Sequence, residues 1–291
     1  GKLYVEFVKK IIAHVQKHGK KVMMWADILL KYPHTLAEIP QDICFLNWNY
    51  TAAPPEENIR RLAATGKMQI VCPGTNTWNR LCENVELEEQ NICRMVQYGY
   101  QHGAAGVLNT NWGDWGNMAS LELAMYGLVL GAEKSWSHST QIDDTFYDTV
   151  NFILYKNADG IKLLKMVSKL NDRFLWYGTG RNYNKVKYGI KEDFDEVIVE
   201  GTIEDVQNEC KQIEKLLSDK KWENDEFRIE LLLAAQGVCV CAEQYEKLMG
   251  KNPARTVDVD KWLEKFSQKW LEKNKPSELY RVQELFTILE K

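Results

Sequence analysis

The sequence has no continuous apolar run of the roughly 18 residues that a membrane-spanning helix requires. Its first residues, GKLYVEFVKK, lack the long apolar stretch and the small-residue cleavage site of a secretory signal. Basic residues are not in excess either, because 37 lysines and arginines face 41 acidic residues and the formal net charge is −4. We therefore expect neither a membrane nor a nucleic acid as a partner.

A disulfide framework is not expected, since the seven cysteines are an odd number at irregular spacing. Unpaired thiols are typical of a reducing compartment, so the sequence predicts a cytoplasmic protein. No P-loop or G-x-G-x-x-G motif occurs, and we expect no cofactor. His14 and His18 are four residues apart on a predicted helix but lack the glutamate of an H-E-x-x-H motif, and we expect no metal.

What the sequence does contain is an ordinary globular composition, 45% apolar and 27% charged, with ten tryptophans. In residues 1–137, short apolar runs alternate with amphipathic stretches, which is typical of parallel strands buried on both faces and joined by helices. Residues 138–291 are helical in pattern almost throughout. We therefore predict an α/β domain over 1–137 and an all-helical domain over 138–291. The apolar runs are VMMW (22–25), ICFLNW (43–48), MQIVC (68–72) and AAGVLNTNW (104–112).

A tryptophan ends or closely follows each apolar run, and each has polar neighbours. Because the carboxyl ends of parallel strands meet at one edge, where α/β folds bind ligands, we expect these side chains to lie close together. Indole rings pack on the apolar face of a pyranose, and amides and carboxylates bind its hydroxyls. A single strand tryptophan is more often core, but four at equivalent places predict a sugar-binding cup. The candidates are Trp25, Asp27, Trp48, Asn76, Trp78, Trp112 and Asp114.

These motifs resemble glycoside hydrolase family 20, the β-N-acetylhexosaminidases, in particular its bacterial and hexosaminidase-D-like branch. The resemblance is carried by W-x-D after the first run and T-N-W-G-D-W-G after the fourth. A-E-x-x-W at 132–136 is similar to the family's final barrel helix, and WLEKNKPSEL at 270–279 resembles a helical tail of this branch. The resemblance implies a (β/α)8 TIM barrel, of which residues 1–137 would be the C-terminal half, strands five to eight.

The family removes terminal N-acetylhexosamine, GlcNAc or GalNAc, with retention, and the substrate's own acetamido group attacks the anomeric carbon. Its glutamate acid/base and the adjacent aspartate follow strand four in a Gly-x-Asp-Glu segment. No such segment precedes the predicted helix at 4–18. The pairs Asp195-Glu196 and Asp225-Glu226 lie in the helical half, where we expect solvated charges. The chain is therefore expected to be a fragment without a catalytic residue of its own and inactive alone.

Carried over to this sequence, Trp25, Trp48 and Trp112 match the aromatic walls around the N-acetyl group and the sugar face. Asp114 matches the acid that accepts hydrogen bonds from the outer hydroxyls, where the family more often has glutamate. Asp27 is expected at the rim or in support of the wall. Two further candidates lie in the loop after the third run: Asn76, where the family has a tyrosine and an aspartate, and Trp78, either an outer wall or a packing residue.

Two other interpretations stay open. The chain could be a non-catalytic module that binds amino sugars or a partner protein, with the same aromatic cup. It could also be a different barrel hydrolase whose acid is Asp114 or Asp27. If the chain is half of a barrel, its two strand edges are unpaired, and we expect a homo-oligomer formed through them.

Overall fold

The computed structural model describes residues 1–174, 180–189, 202–219, 222–248 and 250–287. These form two compact units. The first contains residues 1–75, 86–110 and 127–142, and the second contains 76–85, 111–126 and the described residues from 143 onward. The sequence predicts one domain boundary after residue 137. The units do not follow it, because segments 76–85 and 111–126 of the predicted α/β domain belong to the second unit. As a domain boundary, that cut stays a prediction.

The first unit is built around a four-stranded parallel sheet in which each strand pairs with the next along the chain. The predicted α/β alternation with four parallel strands is confirmed. In chain order, the elements up to residue 107 are α1 (Lys2–Lys17), β1 (Met23–Trp25), α2 (Asp27–Lys31), a 3-10 helix (Pro33–Glu38), β2 (Cys44–Trp48), α3 (Glu56–Ala64), β3 (Gln69–Cys72), α4 (Val85–Gln101) and β4 (Gly106–Val107).

Helix α1 covers one side of this sheet because its apolar residues recur at helical spacing. Val5 and Ile12 are buried in a core that includes Ile43 and Phe45. The helix ends next to Gly19, whose φ of 70° is the left-handed conformation that glycine adopts most readily. The chain can therefore turn back directly into β1.

The register of the strands separates a helix-covered face from an open face. Phe45 pairs with Gln69 and Asn47 pairs with Val71, and all four side chains are buried on the helix side. The alternate residues form the open face, where Met23 is 51% and Met68 is 58% exposed. Burial of the runs on both faces was therefore a wrong prediction. The open-face residues, apart from the buried cysteines, are Met23, Trp25, Leu46, Trp48, Met68, Ile70 and Leu108.

Three further elements differ from the sequence pattern. The fourth run forms a strand only at Gly106–Val107 and continues beside β3 through a single bridge between Gly74 and Thr110. The apolar pattern of residues 118–130 predicts a helix, but the helix begins only at Met125, because Ser120 is extended, with φ −68° and ψ 159°. The pattern between β1 and β2 indicates a loop, but this segment contains α2 and a 3-10 helix.

The second unit is helical, as predicted, in the part of the chain that the structure describes. Its central helix has an apolar stretch, 238–242, in which every residue is fully buried, as expected of a helix surrounded by others. From residue 111 onward the elements are α5 (Asp114–Asn117), a 3-10 helix (Leu121–Leu123), α6 (Met125–Ser137), α7 (Asp144–Val150), a π-helix (Asn151–Tyr155), α8 (Gly160–Phe174), α9 (Arg181–Tyr188), α10 (Ile203–Ser218), α11 (Asp225–Leu248), α12 (Val259–Lys273), a 3-10 helix (Pro276–Glu278) and α13 (Leu279–Thr287).

Two sequence signals fall where the structure gives no description. Asp195-Glu196 and the β-branched segment 197–199 lie outside the described residues. Among the helices that are described, none combines the length and the apolar content needed to cross a membrane.

Candidate functional site

Two of the predicted indoles lie at the carboxyl ends of neighbouring parallel strands. Trp25 is the last residue of β1 and Trp48 is the last residue of β2. Trp25 pairs with Leu46, and Trp48 follows Leu46 by two residues, so both rings project from the open face of the sheet. They are 36% and 38% exposed, which leaves ring surface that a ligand can contact.

The loop after β2 packs against the loop after β3. Trp48 stacks on Tyr50 with ring centroids 5.0 Å apart and an interplanar angle of 26°. A Cβ atom at Gly74 would lie 2.9 Å from the Tyr50 ring, so only glycine fits this close approach of the backbone. Gly74 therefore allows the two strand-end loops to pack in direct contact.

Asn91 in α4 fixes both loops and was not predicted from the sequence. Its Nδ2 donates to the carbonyls of Asn49 and Thr51, both at 2.8 Å, and its Oδ1 accepts from the Gly74 N–H at 3.2 Å. The side chain is fully buried, so these bonds are shielded from water. Asn91 is a positioning residue for the strand ends. The sequence feature that could have identified Asn91 is its position next to Ile92, which places an amide on the buried side of an amphipathic helix.

Asp27 lies in the first turn of α2, where the amino end of a helix stabilises negative charge. Burial, and then the nearby Asp27 carboxylate, raises the pKa of the Tyr4 phenol in α1. Asp27 is partly buried and lies within electrostatic range of α1.

The other predicted site residues belong to the second unit. Asn76 is buried, with a φ of 52°, and its carbonyl accepts from the Asn84 N–H at 3.3 Å; Trp78 is partly exposed. The Thr77 hydroxyl lies 2.6 Å from Asn111 Oδ1 and 3.1 Å from the Trp112 carbonyl oxygen. This hydroxyl holds the loop after β3 to the segment that carries Trp112.

The W-G-D-W-G motif forms a tight turn held by the tail of the chain. Trp112 is 37% exposed and Asp114 is exposed. The next three residues, 115–117, have φ values of 56°, 80° and 53°, a left-handed conformation that costs a non-glycine residue about 1–2 kcal/mol. Trp270 stabilises the turn, since its Nε1 donates to the carbonyls of Gly116 at 2.8 Å and Asn117 at 3.2 Å. Two of the segments that resemble the family, W-G-D-W-G and the start of the tail at Trp270, are therefore in contact.

The structure thus brings some of the candidates together within each unit. Trp25 and Trp48 share one sheet face in the first unit. The second unit contains the rest, namely Asn76, Trp78, Trp112 and Asp114. Convergence of the three indoles around one hexose stays a prediction.

The cysteines do not provide a nucleophile at this site. All seven are buried thiols, and none forms a disulfide, as the sequence predicts. Burial raises the pKa of the Cys72 thiol to about 12 and that of Cys93 to about 11. Both thiols are therefore protonated at neutral pH, and the reactive thiolate is not populated.

The pair Asp225-Glu226 begins α11, and Glu226 belongs to an ion-pair network. Glu226 accepts from both Lys269 and Lys273 at 2.7 Å. Lys273 Nζ also bonds to Glu230 at 3.0 Å and to Glu122. Carboxylate oxygens of the three glutamates lie within 4.8 Å of one another, an arrangement that suits a cation, and the lysine ammonium fills that role. Asp225 is exposed, in agreement with the prediction of a solvated charge, whereas Glu226 is partly buried and paired with two lysines, so the prediction was wrong for Glu226.

No protein-family model matches this chain, and a comparison with curated proteins finds no match either. The resemblance to glycoside hydrolase family 20 therefore rests on the short motifs quoted above. The function has to be inferred from the residues of the chain and their geometry.

Proposed function

We propose that this chain is the C-terminal half of a (β/α)8 barrel that binds N-acetylhexosamine, with the full-length protein an exo-acting β-N-acetylhexosaminidase. The observation that carries the proposal is the position of Trp25 and Trp48. They lie at the ligand-binding ends of adjacent parallel strands, on one face, with exposed rings. Aromatic walls of this kind suit a pyranose ring and the methyl group of an acetamide.

The sheet supports a half-barrel. Strand order is sequential, as in a barrel, whereas doubly wound sheets reverse their order at a switch point. Parallel sheets in α/β proteins are covered on both faces, yet one face here exposes apolar residues such as Met68 and Leu108. We propose that further β/α units cover this face in the full-length protein.

The chemistry follows from the family resemblance. The acetamido oxygen of the substrate would attack the anomeric carbon while the glycosidic bond breaks, and an acid would protonate the leaving oxygen. Indoles that cage the acetamido group would hold it in position for attack. The Asp-Glu pair of this reaction occurs at no strand end of the described residues, so the chain alone would bind without hydrolysis.

The proposal is tested by isothermal titration calorimetry, which measures the affinity of the chain for N-acetylglucosamine. Glucose, which lacks the acetamido group, is the reference sugar. We expect Trp48→Ala to weaken N-acetylglucosamine binding about tenfold or more, because an aromatic wall is lost. Trp136→Ala is the matched control, since Trp136 is 89% exposed at the end of α6 and belongs to no proposed site. Trp48→Phe, which keeps an aromatic ring, should retain most of the affinity and exclude misfolding as the cause.

Equal affinity for glucose and N-acetylglucosamine, or equal losses in Trp48→Ala and Trp136→Ala, would contradict the proposal. A non-catalytic amino-sugar module is the alternative, favoured by the missing Asp-Glu pair. It gains support if a longer form of the protein also binds without turnover. Turnover of a nitrophenyl N-acetylglucosaminide by this chain, lost in Asp114→Asn or Asp27→Asn, would instead identify a hydrolase with its own acid.

We also propose that the chain on its own self-associates through its open sheet face and strand edges. Light scattering after size exclusion should show a dimer or larger species. Met68→Glu, which places a charge on the open face, is expected to shift the population toward monomer, while Gln101→Glu on the exposed side of α4 should not. A compact wild-type monomer at micromolar concentration would refute this. A cytoplasmic location is part of the proposal, and the unpaired cysteines support it.

A further inference from the structure

A second candidate ligand site is built entirely from residues of the second unit. It is a cleft of about 560 Å³ between the turn at 113–117 and the start of the tail at 270–281. Its volume is within the range of pockets that bind small molecules. Every lining residue belongs to this one unit, so a ligand in the cleft needs no contribution from the sheet.

Hydrogen bonds between the turn and the tail hold the two walls of the cleft together. The Trp270 indole donates to the carbonyls of Gly116 and Asn117. Asn117 Nδ2 donates to Asn274 Oδ1 at 3.1 Å, and Asn274 Nδ2 donates to the Trp270 carbonyl at 2.9 Å. Because these bonds exist without a ligand, binding would not have to order the walls.

Two charged side chains in the cleft have no partner. Among the described residues, Asp114 and Lys275 make no hydrogen bond or ion pair through their side chains, and neither does Ser277. The Asp114 carboxylate and the Lys275 ammonium are therefore more than 4.0 Å apart. Glu278 and Arg281 differ, since the Arg281 Nε lies 2.7 Å from the Glu278 carboxylate. The cleft thus offers one unpaired anion, one unpaired cation and a hydroxyl.

Unpaired charges of opposite sign favour a zwitterion as the ligand. Phosphate would be attracted by Lys275 but repelled by Asp114, and a metal ion would meet the reverse. A neutral sugar can hydrogen-bond to both groups, but it displaces their water without supplying a countercharge. An α-amino acid carries its ammonium and its carboxylate on one carbon atom. It can therefore bridge two protein charges that do not reach each other.

Trp115 adds an aromatic surface for the side chain of such a ligand. The indole lines the cleft and is partly exposed. It makes an edge-to-face contact with Tyr183, with ring centroids 5.2 Å apart and an interplanar angle of 89°, which fixes the ring. Aromatic pairs of this kind add stability beyond the area they bury, so an aromatic amino acid fits the cleft better than a polar one.

We propose that this cleft binds a free α-amino acid with an aromatic side chain. Asp114 accepts hydrogen bonds from the ligand's ammonium group. Lys275 and the Ser277 hydroxyl donate to its carboxylate, and the Trp115 indole packs on its ring. The inference goes beyond the proposed sugar binding and does not depend on it. It gives Asp114 a ligand that the family resemblance does not imply, and it assigns the start of the tail to ligand binding.

The test is isothermal titration calorimetry of the full chain with L-phenylalanine and with two analogues that each lack one of its charges. Phenylethylamine keeps the ammonium and lacks the carboxylate, and 3-phenylpropionate keeps the carboxylate and lacks the ammonium. We expect each analogue to bind about tenfold or more weakly than phenylalanine, because each loses one charge-assisted hydrogen bond.

Two variants assign each charge of the ligand to a residue. Lys275→Met should weaken phenylalanine binding about tenfold and should not weaken phenylethylamine binding, since that analogue has no carboxylate. Asp114→Asn should weaken phenylalanine binding similarly and should not weaken 3-phenylpropionate binding. Lys265→Met, at an exposed position of α12, is the control and should keep the wild-type affinity. Neither Asp114 nor Lys275 has an internal partner among the described residues, so both variants should fold, which circular dichroism checks.

Several results would overturn the amino-acid site. One is phenylalanine binding no tighter than that of either analogue, and another is a variant that weakens all three ligands equally. Tighter binding of inorganic phosphate or of N-acetylglucosamine than of phenylalanine, weakened in Lys275→Met, would also overturn it. Trp48 lines no part of the cleft, so Trp48→Ala should bind phenylalanine normally. The sugar-binding proposal can therefore fail while the amino-acid site holds, and the reverse.

Discussion

Gly116→Ala is expected to destabilise the second unit by about 3 kcal/mol. The left-handed φ of 80° costs alanine about 1–2 kcal/mol. The new Cβ would also lie 2.9 Å from the Val282 side chain and 3.1 Å from the Glu278 carbonyl oxygen, and this overpacking adds about 1–3 kcal/mol. Urea unfolding of the purified variant measures the total.

Gly250→Ala separates the two causes. Gly250 has a similar φ of 76°, and a Cβ there would meet no atom of the described residues within 4 Å. We expect it to lose only the strain, about 1–2 kcal/mol. Equal losses at the two glycines would mean that the close approach of Gly116 to Val282 in α13 contributes nothing to stability.

Lys273→Met is expected to cost about 3 kcal/mol, because Glu230 would keep a buried charge without its cation. The Glu230 side chain is 6% exposed and its carboxylate bonds to Lys273 at 3.0 Å. Breaking a buried ion pair costs about 3–5 kcal/mol, and the partial exposure of Lys273 favours the low end of that range. Glu226 retains Lys269, and Glu122, the third partner of Lys273, is more exposed than Glu230, so most of the loss should come from Glu230.

The pH dependence of this loss has a defined sign. Burial raises the pKa of Glu230 despite the hydrogen bond from Lys273, so removing Lys273 should raise it further. At Glu226, burial acts to raise the pKa, but the bonds from Lys269 and Lys273 outweigh it and hold the pKa below its usual value. The stability that Glu226 contributes is therefore present above its unfolded pKa and is lost as the pH falls.

Both effects make the difference in unfolding free energy between wild type and Lys273→Met largest at neutral pH. The difference becomes smaller as the pH falls into the range in which carboxylates are protonated. Unfolding free energies measured across that range test this. Adding Glu230→Gln should recover much of the loss at neutral pH, because the amide carries no charge. A difference that grows on acidification, or no recovery in the double variant, would show that Lys273 acts through packing of its alkyl chain instead.

The sequence pattern was sufficient to predict the strands and most helices, because each is determined by residues that are close together in the chain. Apolar runs ending at Trp25 and Trp48 formed strands, and α1 ended before Gly19 as its left-handed φ requires. Residues 120–124 did not follow their apolar pattern, since the extended Ser120 delays the helix until Met125. The open sheet face was missed because an apolar run does not record which of its faces has a partner.

In the site as well, residues placed by the local sequence pattern could be predicted, and residues placed by contacts with distant parts of the chain could not. Trp25 and Trp48 could be placed from strand ends and alternation alone. Asn91 could not, because its three bonds reach residues 17, 40 and 42 positions away. The contact of Trp270 with Gly116 spans 154 residues, and no local pattern encodes it. Predicting these contacts would have required the tertiary structure.

Sequential strand pairing also bears on how the molecule can be assembled during its synthesis. Each strand pairs with the one translated just before it, so the sheet can grow as the nascent chain leaves the ribosome. The second unit contains bonds between residues far apart in the chain. The Leu81 N–H donates to Asn171, 90 residues later, and the turn at Gly116 accepts from Trp270, so neither bond can form until the later residue has been synthesised. Within this chain, the sheet can therefore form before the long-range contacts of the second unit become available.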